Sequence, residues 1–277
     1  MESRDVFVDA FEHLPVEMER PEHTAKNNPT ENVNLYDETR VPPQLFHTLY
    51  EVGKKLEYNG RVHEGIRKSD GQKVFIKFVE RQQRGEPSES PEFFSDEITT
   101  MLALQKPPTC DHVIQFYDWF VMKDDDVIVM EYPHPSVTLA EFIKSKKGHL
   151  TEDMARRIMW QLADGLRHCW DRGVFFLSEG QLLINPDTLQ LKINFSCEAK
   201  CLGEGVKLSH APFFYFVMNA LIKAIRRPFW KKTVSRECVR LLKRLRPKGK
   251  RPVYTLENIS HDPWFAGMKE NETCRKK

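Results

Sequence analysis

The chain has 277 residues, 40% of them hydrophobic and 30% charged, with a formal net charge of +2. That length suits one large domain or two lobes sharing a cleft, and the apolar fraction supports a sizeable core. A membrane span is excluded as an expectation, since no apolar run approaches the roughly 18 residues needed and the longest, Phe213 to Ile225, is broken by Asn219 and Lys223.

The opening Met1-Glu2-Ser3-Arg4-Asp5 carries no signal-peptide pattern, so the expected location is cytoplasmic or nuclear. Six cysteines then read as free thiols. Cys197 and Cys201 have no second His/Cys pair at ligand spacing, so no metal is expected. Residues 1–45 hold ten Asp/Glu against four Lys/Arg, plus Pro15, Pro21, Pro29, Pro42 and Pro43. They read as a flexible acidic arm, with a short helix around Val6 to Leu14.

From Tyr50 the pattern turns to strands. Tyr50 to Leu56, Gly60 to Ile66 and Val74 to Val79 are short, rich in strand formers and bounded by Asn59-Gly60 and Ser69-Asp70-Gly71. A polar loop covers residues 81–91, and a helix follows from near Pro91 to Leu104. Two more strands are predicted at Val113 to Val121 and Asp126 to Tyr132, with Asp124-Asp125 at their turn.

Beyond Pro133 and Pro135 the chain becomes helical. Thr151 is a good N-cap, and Glu152 and Asp153 suit the positive end of the helix dipole. Ala155, Ile158, Met159, Leu162, Leu166 and Cys169 repeat at three- and four-residue steps. Leu182 to Ile184 and Leu189 to Ile193 read as a hairpin around Asn185-Pro186-Asp187. A helix is expected near Ala211 to Ile225, and Ser235 caps another with Cys238, Leu241, Leu242 and Leu245 on one face. Residues 221–251 hold thirteen Lys/Arg against the single Glu237. This run flanks apolar helix faces and lacks interleaved aromatics beyond Phe229 and Trp230, which favours a solvated surface over a nucleic-acid site.

Five strands with one helix, a short connector and a helical remainder follow the order of a two-lobed protein kinase. The strand Val74-Phe75-Ile76-Lys77 ends in a lysine at the phosphate position, with Glu97 twenty residues later as its partner. Over residues 48 to 266 the chain resembles the Pim family of serine/threonine kinases. The resemblance rests on Tyr117-Asp118-Trp119-Phe120, on Glu131-Tyr132-Pro133-His134-Pro135, and on Arg251-Pro252 through His261-Asp262-Pro263-Trp264. It implies an α+β bilobal kinase-like fold: an arm at 1–45, an N-lobe at 46–132, a C-lobe at 133–267 and a polar tail at 268–277. It also implies a nucleotide cleft built from Leu56, Val62, Lys77, Glu97, Glu131 and Pro133. Pro133 has no N–H to offer a base.

Against that pattern the chemical positions are degraded. Leu56-Glu57-Tyr58-Asn59-Gly60-Arg61-Val62 keeps one glycine of the phosphate loop and reads better as an ordinary hairpin turn at Asn59-Gly60. Aligned on Leu182-Leu183-Ile184, Phe176 stands where the catalytic base belongs, Ser178 at the lysine and Gln181 at the metal-binding asparagine. Glu179 is the only carboxylate in that stretch. Asn194 replaces the aspartate that holds Mg²⁺, with Phe195 beside it. About fourteen residues separate Ser196 from the next helix, with no Ala-Pro-Glu, so no surface for docking a substrate peptide is expected. Ala211 falls at a structural aspartate, and Arg251 lacks its usual glutamate.

These losses imply a Pim-like pseudokinase acting through protein contacts, with at most weak, Mg-independent ATP binding. Two alternatives stay open: an active kinase with unorthodox ligands, and an anion- or nucleic-acid-binding protein working through 223–251.

Overall fold

The computed structural model describes residues 40–56, 61–80, 96–123, 125–175, 182–194, 200–201, 211–225, 234–246 and 254–268. The predicted helix around Val6 to Leu14, the loop at 81–91, Asp124, most of the activation stretch and the tail lie outside them. So do Glu57 to Gly60, Phe176 to Gln181, Phe195 to Glu198 and Arg251.

The first lobe is one sheet. Its strands are β1 (Arg40–Val41), β2 (Tyr50–Lys55), β3 (Val62–Arg67), β4 (Lys73–Glu80), β5 (Phe116–Val121) and β6 (Asp125–Glu131). They lie in the order β1-β5-β6-β4-β3-β2. Strands β2 to β6 form the expected five-stranded antiparallel core. The sheet has one strand more than expected, because β1 pairs parallel with β5 through Arg40↔Trp119 and Val41↔Phe120. Two residues ahead of a proline pair show no period, so nothing in the pattern marks them.

β4 is buried on both faces, with Val74, Phe75 and Ile76 all at 3% exposure or less. Side chains alternate along a strand. Val74 and Ile76 therefore join Phe46, Tyr50, Phe120, Val127 and Val129 on the outer face. That face is covered by the short helix α1 (Phe46–Leu49), where Phe46 meets the edge of Phe120 at 5.1 Å. The other face belongs to a single buried cluster that runs from Val62, Phe75, Ile128 and Met130 into the second lobe. The helix α2 (Asp96–Gln105) adds Ile98, Met101, Leu102 and Leu104 to it.

The second lobe is organised around α4 (Glu152–Trp170), which follows α3 (Leu139–Ser145). Thr151 Oγ1 accepts from Met154 N at 3.2 Å, which satisfies one of the N–H groups a helix start leaves open. The predicted stripe from Ala155 to Cys169 is buried. On it pack the hairpin β9 (Leu182–Ile184) and β10 (Leu191–Ile193), then α5 (Ala211–Ala224) and α7 (Leu256–Ser260). In sequence, β7 (Val137–Thr138) precedes α3, while β8 (Val174–Phe175), β11 (Lys200–Cys201) and α6 (Arg236–Leu245) fall between the packed elements, the last capped by Ser235 as expected. Asn185 Oδ1 accepts from Asp187 N and Thr188 N and so shapes the hairpin turn. Gly165 of α4 lets the hairpin approach: a Cβ there would lie 2.7 Å from Ile193 Cδ1.

Two buried imidazoles make this core pH-sensitive. His168 Nε2 donates to Leu104 O at 3.1 Å, and burial pushes its pKa below the usual 6.5. Burial does the same to His112, against a smaller upward pull from Asp164 and Asp111. The unfolded chain therefore takes up protons first as pH falls through 6.5, and the stability held above that pH is lost below it, by up to about 1.4 kcal/mol per pH unit for each group. Chemical denaturation between pH 7.5 and 5.5 should show this loss. A flat profile would mean that neither ring is buried in its neutral form.

Candidate nucleotide cleft

The roof of the cleft comes from strand register. Val62 stands opposite Lys77 across β3 and β4, and Lys77 stands opposite Ile128 across β4 and β6. Paired residues share a face, so Lys77, Val62, Phe75, Ile128 and Met130 all point towards the second lobe. Lys77 is buried at 6% exposure. Glu97 lies in the first turn of α2, but its side chain is outside the described residues. Leu56, half-buried, closes the β2–β3 pair by donating its N–H to Val62 O at 2.9 Å.

The connector departs from the expected layout. Glu131 pairs with Val74, which puts its carboxylate on the face opposite Lys77. There it binds Lys192 Nζ of β10 at 2.8 Å and accepts from Gln115 N at 3.1 Å. Tyr132, Pro133 and His134 line a cleft of about 180 Å³, with Leu183, Asn185 and Lys192. Tyr132 also reaches the roof. Its hydroxyl donates to Glu64 Oε1 at 2.9 Å and holds that carboxyl below the usual carboxylate range. Its ring meets the edge of Phe75 with centroids 4.6 Å apart.

Asn194 follows directly on β10, half-buried, with its Oδ1 buried and without a protein hydrogen-bond partner. It offers a neutral amide dipole where Mg²⁺ would need charge, so this donor does not suit the ion. Among the described residues no group of three or more His, Cys, Asp or Glu side chains converges as a cation site. Phe176, Ser178 and Gln181 fall just before β9 and outside the described residues. In the basic run, Arg244 of α6 is engaged internally, its Nη1 lying 2.9 Å from Asp262 Oδ2. No helix among the described residues is long and apolar enough to cross a membrane.

Neither the Lys192–Glu131 pair nor the Phe75–Tyr132 contact was legible as part of the site. Each joins residues more than fifty positions apart, and only strand alternation applied to a known register brings them together.

Residues 52–194 match the protein kinase domain family. The chain is 28% identical to serine/threonine-protein kinase pim-2 of Danio rerio, over 53% of this chain and 51% of that protein. It is 28% identical to CBL-interacting serine/threonine-protein kinase 14 of Arabidopsis thaliana, over 83% of this chain and 62% of that protein. It is also 28% identical to myosin light chain kinase family member 4 of Homo sapiens, over 69% and 50%. The chain thus spans between about half and three-fifths of these relatives.

Proposed function

This chain belongs to the protein kinase domain family, and from that premise we propose that it is a Pim-like member which no longer transfers phosphate and acts through protein contacts. The observation that carries this reading is Asn194, a neutral amide at the end of β10 in the position of the metal-binding aspartate. Phosphoryl transfer depends on charge positioned around the transferred group. With Phe176 at the base and Gln181 at the second metal ligand, the catalytic stretch keeps Glu179 as its one carboxylate, three residues from the base position. Any nucleotide contact left to the site is weak and independent of Mg²⁺, since neither metal position carries a charge. The likeness to pim-2 and the Pim-type connector support the finer family reading.

The test is transfer of labelled phosphate from ATP to a basic peptide by the purified chain. The expected signal equals that of a protein-free control, and Lys77→Met leaves it unchanged. Transfer that Lys77→Met abolishes would establish an active kinase with unorthodox ligands.

A further inference from the structure

The strand that carries the nucleotide lysine in protein kinases reads Val-Ala-Ile-Lys. Here it reads Val74-Phe75-Ile76-Lys77, with a phenyl ring where that pattern has a methyl group. Position matters more than size alone. Phe75 lies two residues before Lys77 and so shares its face of β4, one step nearer the connector. A base whose phosphates reach Lys77 would lie along that line, under the strand.

Phe75 is 3% exposed. Its ring stands at 86° to Tyr132, an edge-to-face contact of the favourable kind. Tyr132 is fixed in turn by its hydroxyl on Glu64, which is the register partner of Phe75, and by stacking on His134 at 5.6 Å. Val62, Phe75 and Met130 from the roof belong to the same buried cluster as Leu182 and Leu183 of β9. One apolar cluster thus takes in residues of both lobes, with Phe75 at its edge towards the connector.

We propose that Phe75, braced by Tyr132, occupies the base slot, so that the chain's own ring takes the place of adenine and the lobes are joined without a nucleotide. This deepens the reading of the site given above and rests on its kinase-type layout, though not on the loss of phosphotransfer. Polyphosphate contact at Lys77 stays compatible with it, because that contact needs no base.

The test is a thermal-shift and calorimetric titration of the full chain with adenosine, ATP and inorganic tripolyphosphate. Wild type should give no adenosine response into the millimolar range, and ATP should shift it no more than tripolyphosphate does. Phe75→Ala should lower the melting temperature of the free protein and gain adenosine binding by at least tenfold, with adenosine restoring part of the lost stability. Should Phe75→Ala fail to fold, Phe75→Val removes the ring while keeping a strand-forming side chain and carries the same expectation. Adenosine binding by wild type as tight as by either variant would overturn the proposal, as would a folded variant that gains none. Wild-type adenosine binding without phosphate transfer would sink this inference alone. Transfer of phosphate by wild type would sink the proposed function with it.

Discussion

Trp264→Ala should lower the free energy of unfolding by about 3–5 kcal/mol, the usual cost of truncating a fully buried large aromatic. Trp264 is 2% exposed and sits in the 3₁₀ turn Pro263–Phe265, against Phe265 and near the Arg156 guanidinium. Its indole Nε1 donates to Glu152 Oε1 at 2.8 Å. Burial alone would raise the Glu152 carboxyl. Donation from Ser235 and Trp264, with Arg156 beside it, outweighs that and holds the group below its ordinary range. One carboxylate in the first turn of α4 thus ties together the Pro263–Phe265 turn and the cap of α6. Trp264→Phe keeps part of the ring packing but removes the N–H and the rest of the indole, so it should cost less, about 1–3 kcal/mol. Urea unfolding of both variants separates the two contributions. Equal losses would show that the hydrogen bond, and not the ring, holds this turn.

Much of the fold was legible because its elements are long or strongly periodic. The stripe of α4 and its Thr151 cap appear where the spacing put them, and β2, β3, β4 and β6 begin and end within two residues of expectation. Two boundaries moved for identifiable reasons. The strand expected from Val113 begins at Phe116, because residues 112–114 bond to β10 instead: Ile114 N donates to Ile193 O at 2.9 Å and Ile193 N to His112 O at 2.8 Å. The strand expected from Leu189 begins at Leu191, because Leu189 takes a positive φ of 61° in the turn. The candidate site was less legible. Phe75 reads as an ordinary strand former by propensity, and Lys192 as a lone lysine in an apolar strand. Their meaning depends on what lies across the sheet or across the lobes, and composition does not encode that.

Lys192→Met should destabilise the chain by about 3 kcal/mol, the low end of the range for removing one partner of a buried ion pair. The low end applies because the Glu131 side chain keeps 19% exposure against 9% for Lys192, and the remaining carboxylate retains its bond from Gln115 N. Glu131→Leu alone leaves an ammonium buried and should cost about as much. The double variant, with an apolar pair at both positions, should recover most of the loss, since a buried pair often does little better than well-packed hydrophobic residues. What the pair adds is location. It clasps the connector to the hairpin that leads into Asn194, one residue from Tyr132, whose ring meets Phe75. A kinase that turns over must open and close about this connector to admit and release its ligands. A chain that presents a fixed surface to a partner loses nothing by holding it still. The coupling energy from urea unfolding of wild type, the two single variants and the double variant measures the clasp directly. Single variants within about 0.5 kcal/mol of wild type, the range of an ordinary surface substitution, would show that the connector is held by packing alone.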